Sequence, residues 1–176
     1  MNVLIELGSY DAKYIRKFVE SPIYMAMQWD IHAFEPNPNI EMNCPDQVIA
    51  HRKAAWIEDG DINLFVGSKN NKNYSSSLIA HKKTGKLDRK HPVKVECINF
   101  GQWILDTFKP SDFIILRMDI EGAEYKVIPS MLKNGSLSYV NEFFVEPHWD
   151  RLGIPYKEHR TLMKQVSEVT EVYYLL

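Results

Sequence analysis

Segments with strand character and segments with helix character alternate along most of this chain. Short apolar or β-branched segments lie at residues 3–7, 31–34, 47–51, 62–66, 93–98, 113–118, 139–145 and 169–175. Segments with helix character lie at residues 12–20, 100–108, 124–132 and 156–167. Strands that alternate with helices form βαβ units, in which parallel strands pair and helices cover both faces of the sheet. The sequence therefore predicts an α/β protein with a mostly parallel sheet and helices on both faces.

The length and composition of the chain fit a single globular domain. A chain of 176 residues can bury one sizeable core and is too short for two. No apolar run reaches the roughly 18 residues of a membrane helix, and no signal-peptide pattern precedes the first strand, so we expect no membrane contact. Cys44 and Cys97 have no metal-ligand spacing and are too few for a disulfide scaffold. We therefore expect a reducing, cytoplasmic environment.

Neither the two ends of the chain nor its net charge identifies a binding partner. The chain begins inside a strand at residues 3–5 and stops in an apolar segment at residues 172–176. We expect residues 1–176 to form one domain, either minimal or excised from a longer polypeptide whose other domains would be partners. The net charge of −2 excludes neither acidic nor basic partners, and it gives no global signal for nucleic-acid binding.

An acidic run follows the apolar segment at residues 113–116. Asp119 and Glu121 stand just beyond the predicted strand, where open α/β sheets bind their ligands. Glu124 follows three residues later, at the start of a predicted helix, where an acid complements the positive end of the helix dipole. The run therefore predicts a ligand site. The alternative is that all three acids only stabilise the start of the helix.

Two earlier strand ends also carry features of a ligand site. Gly8 follows the first strand and permits a tight turn against a ligand. The neighbouring acids Glu6 and Asp11 would repel a diphosphate and attract an ammonium or sulfonium group, and the absence of G-x-G-x-x-G disfavours a nicotinamide dehydrogenase. Glu35 ends the second strand, 27 residues beyond Gly8, where a carboxylate can accept both hydroxyls of a ribose. The alternatives are a plain turn at Gly8 and a surface acid at Glu35.

Six segments of the chain together match a known set of motifs. They lie at residues 4–12, 33–38, 54–56, 75–78, 118–124 and 144–148. In this order they resemble the motifs of the FkbM-type S-adenosylmethionine-dependent methyltransferases. The resemblance covers residues 3 to about 148 and departs at Ala12, where the family usually has a second glycine. It implies a Rossmann-like methyltransferase fold, S-adenosylmethionine as cofactor, and O-methylation, commonly of a sugar or a glycosylated metabolite.

The resemblance also implies which residues hold the cofactor. They are Glu6, Gly8, Ser9, Tyr10, Asp11, Glu35, Pro36, Ala54, Ala55, Trp56 and Asp119. Gly8 would line the methionine end, Asp11 would pair with the cofactor ammonium, and Glu35 would hold the ribose. Ala54 and its neighbour would border the adenine. Trp56 could stack on that ring, although an aromatic residue beside a strand end more often belongs to the core.

The chemistry needs a group that accepts the proton of the acceptor hydroxyl. Methyl transfer from a sulfonium is an in-line displacement, so the enzyme mainly positions the hydroxyl and takes its proton. Asp119 and His148 are the candidate bases, with Glu121 and Glu146 orienting them or the acceptor; His148 could equally be a hydrogen-bonded strand-end histidine. The same four side chains suit Mg²⁺ or Mn²⁺. No spacing demands a metal, and we do not expect one to be required.

Residues 67–92 are unusually basic. Their seven cations are Lys69, Lys72, Lys82, Lys83, Lys86, Arg89 and Lys90, and Asp88 is their single acid. The segment is either a solvated mobile loop or a lid over an anionic acceptor. As a lid it would contribute Ser76, Ser77 and Lys82 to the acceptor site. Nucleic acid is disfavoured as the acceptor, because no basic stripe with interleaved aromatic residues occurs elsewhere.

We therefore expect an S-adenosylmethionine-dependent O-methyltransferase whose acceptor is a small molecule or glycan, with a sugar hydroxyl as the first choice. An RNA-cap or nucleoside O-methyltransferase is the second hypothesis. A non-catalytic nucleoside-binding module is the third, from a different class of protein.

Overall fold

The computed structural model describes residues 1–67 and 75–175. The strands are Asn2–Leu7 (β1), Trp29–Phe34 (β2), Val48–His51 (β3), Ala54–Trp56 (β4), Gly60–Leu64 (β5), Val93–Asn99 (β6), Phe113–Met118 (β7), Val140–Val145 (β8) and Glu171–Tyr174 (β9). The α-helices are Lys13–Val19 (α1), Pro22–Ala26 (α2), Phe100–Thr107 (α3), Glu124–Asn134 (α4), Trp149–Leu152 (α5) and Tyr156–Ser167 (α6). A 3₁₀ helix, Ser136–Tyr139, precedes β8.

Six strands form one parallel sheet, in the order β3-β2-β1-β7-β8-β9. The chain first moves from β1 through β2 to β3 on one side of β1, and it later places β7, β8 and β9 on the other side. The strand order therefore reverses between β1 and β7. In open parallel sheets the crevice at the carboxyl ends of such a strand pair is where ligands bind. The predicted α/β architecture with a mostly parallel sheet is confirmed.

Both faces of the sheet are covered, because successive side chains of β1 point to opposite faces. Val3, Ile5 and Leu7 belong to the larger core cluster, which also holds buried residues of α3, α4 and α6. Leu4 packs on the other face against Ile15 of α1. A strand that is buried on both faces needs apolar residues at nearly every position, which explains the continuous apolar run of β1.

A second, smaller sheet has the order β4-β6-β5. β4 pairs with β6 in parallel and β5 pairs with β6 in antiparallel orientation. The sequence predicted β5 and β6 as strands but did not predict that they form a separate sheet. It also missed β4, α2 and α5, which have three, five and four residues and are too short to show a periodic pattern.

The predicted helices agree closely with the observed ones where the apolar periodicity is long. α6 has the predicted bounds, and α4 ends directly before Gly135, which takes the left-handed conformation that commonly follows a helix. α6 has 12 residues and is the longest helix in the described ranges. None of the helices in those ranges combines the length and the apolar character needed to cross a bilayer.

The loop after β1 lies directly against the loop after β7. Gly8 has a φ of 79°, and a Cβ atom added to it would lie 1.9 Å from the carbonyl oxygen of Asp119. The amide of Asp119 donates to the carbonyl of Leu7, and the amides of Gly8 and Ser9 both donate to the carbonyl of Phe34. The three strand ends are thus joined through backbone groups, and only glycine fits at position 8.

Gly8→Ala is expected to destabilise the fold much more than Gly135→Ala. Gly135 has a similar φ of 82°, but no atom lies within 4 Å of the position its Cβ would take. The control therefore measures only the cost of placing alanine in the left-handed conformation, about 1–2 kcal/mol. In Gly8→Ala the added Cβ atom also overlaps the backbone of Asp119. We expect at least twice the control's loss in free energy of unfolding, measured by urea denaturation. Equal losses would show that the two loops are not in contact.

Candidate functional site

A cavity of about 490 Å³ lies at the carboxyl ends of β1, β2 and β7. Its volume falls in the range of small-molecule binding sites. Ten of the eleven predicted cofactor residues line it: Glu6, Gly8, Ser9, Tyr10, Asp11, Glu35, Pro36, Ala54, Ala55 and Asp119. These residues come from four separate segments of the chain. The fold therefore brings the predicted motifs to one place.

Trp56 is the exception and requires a correction. It follows Ala55 on β4, and its side chain packs against the main core and against the core of the smaller sheet. It does not line the cavity. The structure places Trp56 in the core and does not support the predicted stacking on a cofactor ring.

Glu35 fixes the loop after β2 to the loop after β1. Its Oε2 accepts a hydrogen bond from the amide of Tyr10 (3.1 Å), and its Oε1 accepts one from the amide of Asn37 (2.8 Å). Burial raises the pKa of Glu35, and these two hydrogen bonds oppose the effect. A carboxylate oxygen can accept more than one hydrogen bond. The buried carboxylate can therefore hold the loops and still receive a hydroxyl from a ligand in the cavity.

Glu6 is paired with Arg117 across the β1–β7 strand pair. Nη1 of Arg117 donates to Oε1 of Glu6 at 2.8 Å, and the guanidinium lies 4.8 Å from the centre of the Tyr14 ring. Oε2 of Glu6 is buried and has no hydrogen-bond partner among the residues the structure describes. Burial raises the pKa of Glu6 to about 7, despite the opposing charge of Arg117. A buried carboxyl with an unsatisfied oxygen is thus part of the cavity wall.

Asp11 already has a cationic neighbour within the protein. Its Oδ2 lies 3.4 Å from Nη2 of Arg16, and its Oδ1 accepts a hydrogen bond from the amide of Lys13. The sequence assigned Asp11 to the cofactor ammonium. Asp11 does line the cavity, so that role stays a prediction, but an ammonium would share this carboxylate with Arg16.

The two candidate bases and the two acids predicted to orient them or the acceptor meet beyond the ends of β7 and β8. Nε2 of His148 lies 3.3 Å from a carboxylate oxygen of Glu146, 3.7 Å from one of Glu121 and 3.8 Å from one of Asp119. β7 and β8 are neighbouring parallel strands, so the residues that follow them share one edge of the sheet. Asp119 and Glu121 line the cavity, whereas His148 and Glu146 do not.

Glu124 orients His148, a role that the sequence did not predict. Glu124 is 1% exposed. Its Oε1 accepts a hydrogen bond from the amide of Ile120 and its Oε2 one from the amide of Gly122, both at 2.8 Å. Nδ1 of His148 lies 3.0 Å from Glu124 Oε1. An acceptor fixed by two backbone amides selects the tautomer in which Nδ1 carries the proton, so Nε2 faces the acids.

Burial and neighbouring charges shift the pKa values of the two candidate bases, Asp119 and His148. Burial raises the pKa of Asp119 to about 7, the charges of Glu146 and Glu121 add to the rise, and His148 opposes it. Burial lowers the pKa of His148, but the hydrogen bond to Glu124 and the surrounding carboxylates outweigh it, so the net shift is upward. Asp119 lines the cavity while His148 is only 1% exposed. Asp119 is therefore the group that can touch a substrate.

Lys82 requires a second correction. The sequence placed it on a basic loop as an acceptor contact, but its side chain is 0% exposed and does not line the cavity. Its ammonium pairs with the carboxylate of Glu121 and donates to the carbonyl of Ser75 (3.1 Å). Glu121 also pairs with Arg151 (3.4 Å), which the sequence did not single out. Arg151 also pairs with Glu146 (3.3 Å). Glu121 thus has one cation of its own and shares a second, which limits its use as a base.

The described part of the basic segment, residues 75–92, packs against the site. Ser76 and Ser77 line the cavity, and their role as acceptor contacts stays a prediction. The hydroxyl of Ser77 donates to the carbonyl of Glu121 (2.7 Å). The amide of Lys83 donates to the carbonyl of Arg151 (2.8 Å). The predicted cations Lys69 and Lys72 lie outside the described residues. Residues 76–78 therefore form part of the cavity wall, and Lys83 joins the described segment to the loop that contains Arg151.

The parallel sheet, its strand order and the cavity at the β1–β7 switch point define a Rossmann-like methyltransferase fold. The model of the methyltransferase FkbM domain matches residues 6–163, and the chain belongs to this family. The matched range contains every residue that the sequence assigned to the site. No curated protein and no solved structure matches the chain. The protein is thus a methyltransferase by family.

The free energy of unfolding is expected to fall as the pH rises from about 5 to about 7.5. The pKa of Glu6 is higher in the folded chain than its ordinary value, so the folded state binds more protons in this window and loses that advantage as the pH rises. Glu6→Gln should reduce the fall by an amount on the order of 1–3 kcal/mol. Urea denaturation across this pH range measures it.

Glu20→Gln is the control for that measurement, because Glu20 lies exposed at the end of α1. Its pH dependence should match that of the unsubstituted chain. In Glu6→Gln the free energy of unfolding should still decrease somewhat as the pH rises, because the pKa of Asp119 is also raised in the folded chain. If Glu6→Gln and Glu20→Gln have the same pH dependence, Glu6 is ionised in the folded chain at lower pH than the burial argument requires.

Proposed function

We propose that this protein transfers a methyl group from S-adenosylmethionine to a hydroxyl oxygen of a small molecule or glycan, with a sugar as the acceptor. The observation that carries the proposal is that one cavity contains both Glu35, at the end of β2, and Asp119, at the end of β7. In nucleoside-binding folds an acid after the second strand holds the ribose. With the ribose held at Glu35, Asp119 would lie across the crevice, beside the reacting end of the cofactor.

The charges of the cavity wall support a cofactor without phosphates. Glu6, Glu35 and Asp119 are buried or partly buried acids that face the same space. A diphosphate would be repelled by them, whereas the sulfonium and ammonium of S-adenosylmethionine would be attracted. Phe34 and Leu64 add apolar surface to the wall, which suits the adenine ring. These features favour S-adenosylmethionine over a dinucleotide.

The reaction requires positioning of the acceptor and removal of one proton. The acceptor oxygen forms a bond to the methyl carbon while the carbon–sulfur bond breaks, and S-adenosylhomocysteine leaves with the bonding electron pair. The hydroxyl proton passes to the carboxylate of Asp119, which lines the cavity. His148 lies 3.8 Å from Asp119 and is held by Glu124. It acts as a positioning residue, since its own ring does not reach the cavity wall.

The wall beside Asp119 suits a neutral polyol. Ser76 and Ser77 lie in this wall, and the carboxylate of Asp119 can accept hydrogen bonds from sugar hydroxyls. Lys13, Lys17 and Lys53 also line the cavity, so an acceptor that carries an anionic group remains compatible with the site. A sugar, free or within a glycan and with or without an anionic group, is therefore compatible with the cavity wall.

Glu35→Gln is expected to weaken the binding of S-adenosylmethionine by about 1.5–3 kcal/mol, the usual contribution of hydrogen bonds to a charged group. Calorimetry on the folded variant measures this change. Glu41→Gln, an exposed acid in the same loop, should bind like the unsubstituted chain. S-adenosylhomocysteine and its 2′-deoxyribose analogue isolate the contact: the analogue should bind more weakly to the unsubstituted chain but equally to Glu35→Gln. An equal preference in both proteins would remove Glu35 from the ribose site.

The acceptor is tested by a panel of sugars and glycosylated metabolites with labelled cofactor, analysed by mass for the gain of one methyl group. Nucleosides and capped RNA belong to the same panel. Asp119→Asn keeps the shape of the side chain and should lower kcat by about 10²–10⁴-fold, with cofactor affinity changed much less. Methylation of capped RNA but of no sugar would refute the acceptor proposed. A loss of less than about tenfold in kcat would show that Asp119 is not the base.

A further inference from the structure

We propose that Asp119, Glu146 and His148 form a binding site for one divalent cation of the Mn²⁺ type. One carboxylate oxygen of each acid and Nε2 of the histidine lie within 4.8 Å of one another. Ligand atoms that share one cation at about 2.0–2.6 Å are separated by at most about 4–5 Å. The three groups can therefore reach a common ion with small side-chain movements.

The buried histidine supplies evidence that is independent of the acids. His148 is 1% exposed, and its Nε2 has no hydrogen-bond partner within residues 1–67 and 75–175. Glu146 lies only 3.3 Å from this nitrogen, but the geometry does not make a hydrogen bond. Buried polar atoms normally have a partner. A nitrogen that is buried, unsatisfied and aimed at three carboxylates is arranged as a ligand atom is.

The other side of the ring has the support that metal-binding histidines usually have. Such a histidine donates its second ring N–H to a carboxylate or carbonyl, which fixes the ring and the tautomer. Nδ1 of His148 lies 3.0 Å from Glu124, and two backbone amides hold the carboxylate of Glu124 in place. This contact leaves the lone pair of Nε2 directed at Asp119 and Glu146.

The net charge of the groups around the site is negative, which favours binding of a divalent cation. Asp119, Glu121, Glu124 and Glu146 contribute four carboxylates, and the cations paired with them are Lys82 and Arg151. An imidazole that binds a metal ion is neutral, and with His148 in that form the described part of this cluster has two negative charges without a compensating cation. Lys82 pairs with Glu121, and Arg151 lies between Glu121 (3.4 Å) and Glu146 (3.3 Å). Glu124 is held by two backbone amides and His148, so Asp119 and Glu146 are the acids that can act as ligands. One divalent ion would balance the cluster.

The ligand set indicates the class of cation. Carboxylates suit Mg²⁺, Ca²⁺ and Mn²⁺, whereas imidazole suits transition metals. Two carboxylates with one imidazole therefore favour Mn²⁺ over Mg²⁺ or Ca²⁺. Asp119 lines the cavity, so an ion held by it borders the space where the acceptor would bind. Holding the acceptor oxygen there is the role we infer for the ion, and this role rests on the proposed function.

The site is tested by titrating Mn²⁺ into the full chain without cofactor, followed by calorimetry and by the loss of the free Mn²⁺ signal in electron paramagnetic resonance. One equivalent is expected to bind. Asp119→Asn, Glu146→Gln and His148→Gln should each weaken binding at least tenfold, and Glu124→Gln should weaken it about 10–100-fold. If His148→Gln does not fold, the two carboxylate variants decide the result.

His159→Gln is the matched control. His159 is also nearly buried and also has its Nδ1 in a hydrogen-bonded contact, with Tyr125, but it is not among the clustered acids. This variant should bind Mn²⁺ like the unsubstituted chain. The proposal is overturned if the unsubstituted chain binds no Mn²⁺ at millimolar concentration. It is also overturned if Asp119→Asn and Glu146→Gln both bind as well as the control, which would indicate adventitious surface binding.

Calorimetry with S-adenosylmethionine in the same preparation separates the two proposals. Cofactor binding without Mn²⁺ binding removes the metal site and leaves the methyl-transfer proposal intact. Mn²⁺ binding without cofactor binding removes the proposed function and leaves the metal site. The two failures can therefore be told apart.

Discussion

The contact between the loop after β1 and the loop after β7 is the constraint on which the site depends. Gly8 has no side chain, and the backbone of Asp119 occupies the space that a Cβ atom would take. This close approach closes the floor of the cavity and sets the position of Asp119 relative to Glu35, whose carboxylate holds the loops after β1 and β2 together. The spacing of the parallel strands then decides the distance between the residues that follow them. The site geometry is thus a consequence of backbone packing at the switch point.

Charge balance is the second determinant of the site. Several acids meet in a partly buried region, which would be unfavourable without compensation. Lys82 and Arg151 compensate Glu121, while Glu124 is held by two backbone amides and by His148. Asp119 lines the cavity, and burial with its acidic neighbours raises its pKa to about 7. A carboxyl that gains and loses a proton near neutral pH suits the proton transfer proposed for it.

Local patterns were enough to predict most of the sheet, and together with the family resemblance they predicted most of the cavity wall. β1 and β7 are buried on both faces and therefore appear as continuous apolar runs, and a loop that follows such a run in a parallel sheet lies at the ligand-binding edge. For this reason the motifs around Gly8, Glu35 and Asp119 could be assigned to one site without coordinates. Trp56 could not be assigned correctly, because the direction of its side chain depends on how β4 pairs with β6 in a sheet that no local pattern revealed.

The sequence by itself determined the parallel α/β architecture, the order of its main strands along the chain, and the residue types at the strand ends, because each of these depends on periodicity and neighbouring residues. The tertiary structure alone decided the pairings between distant residues. Lys82 and Glu121 are 39 residues apart, and Arg117 pairs with Glu6 across 111 residues. A lysine within a basic stretch is indistinguishable by sequence from a solvated one, and only folding of residues 75–92 against the sheet buries it. Burial and charge pairing are properties of the assembled chain, since they arise from contacts that no local segment contains.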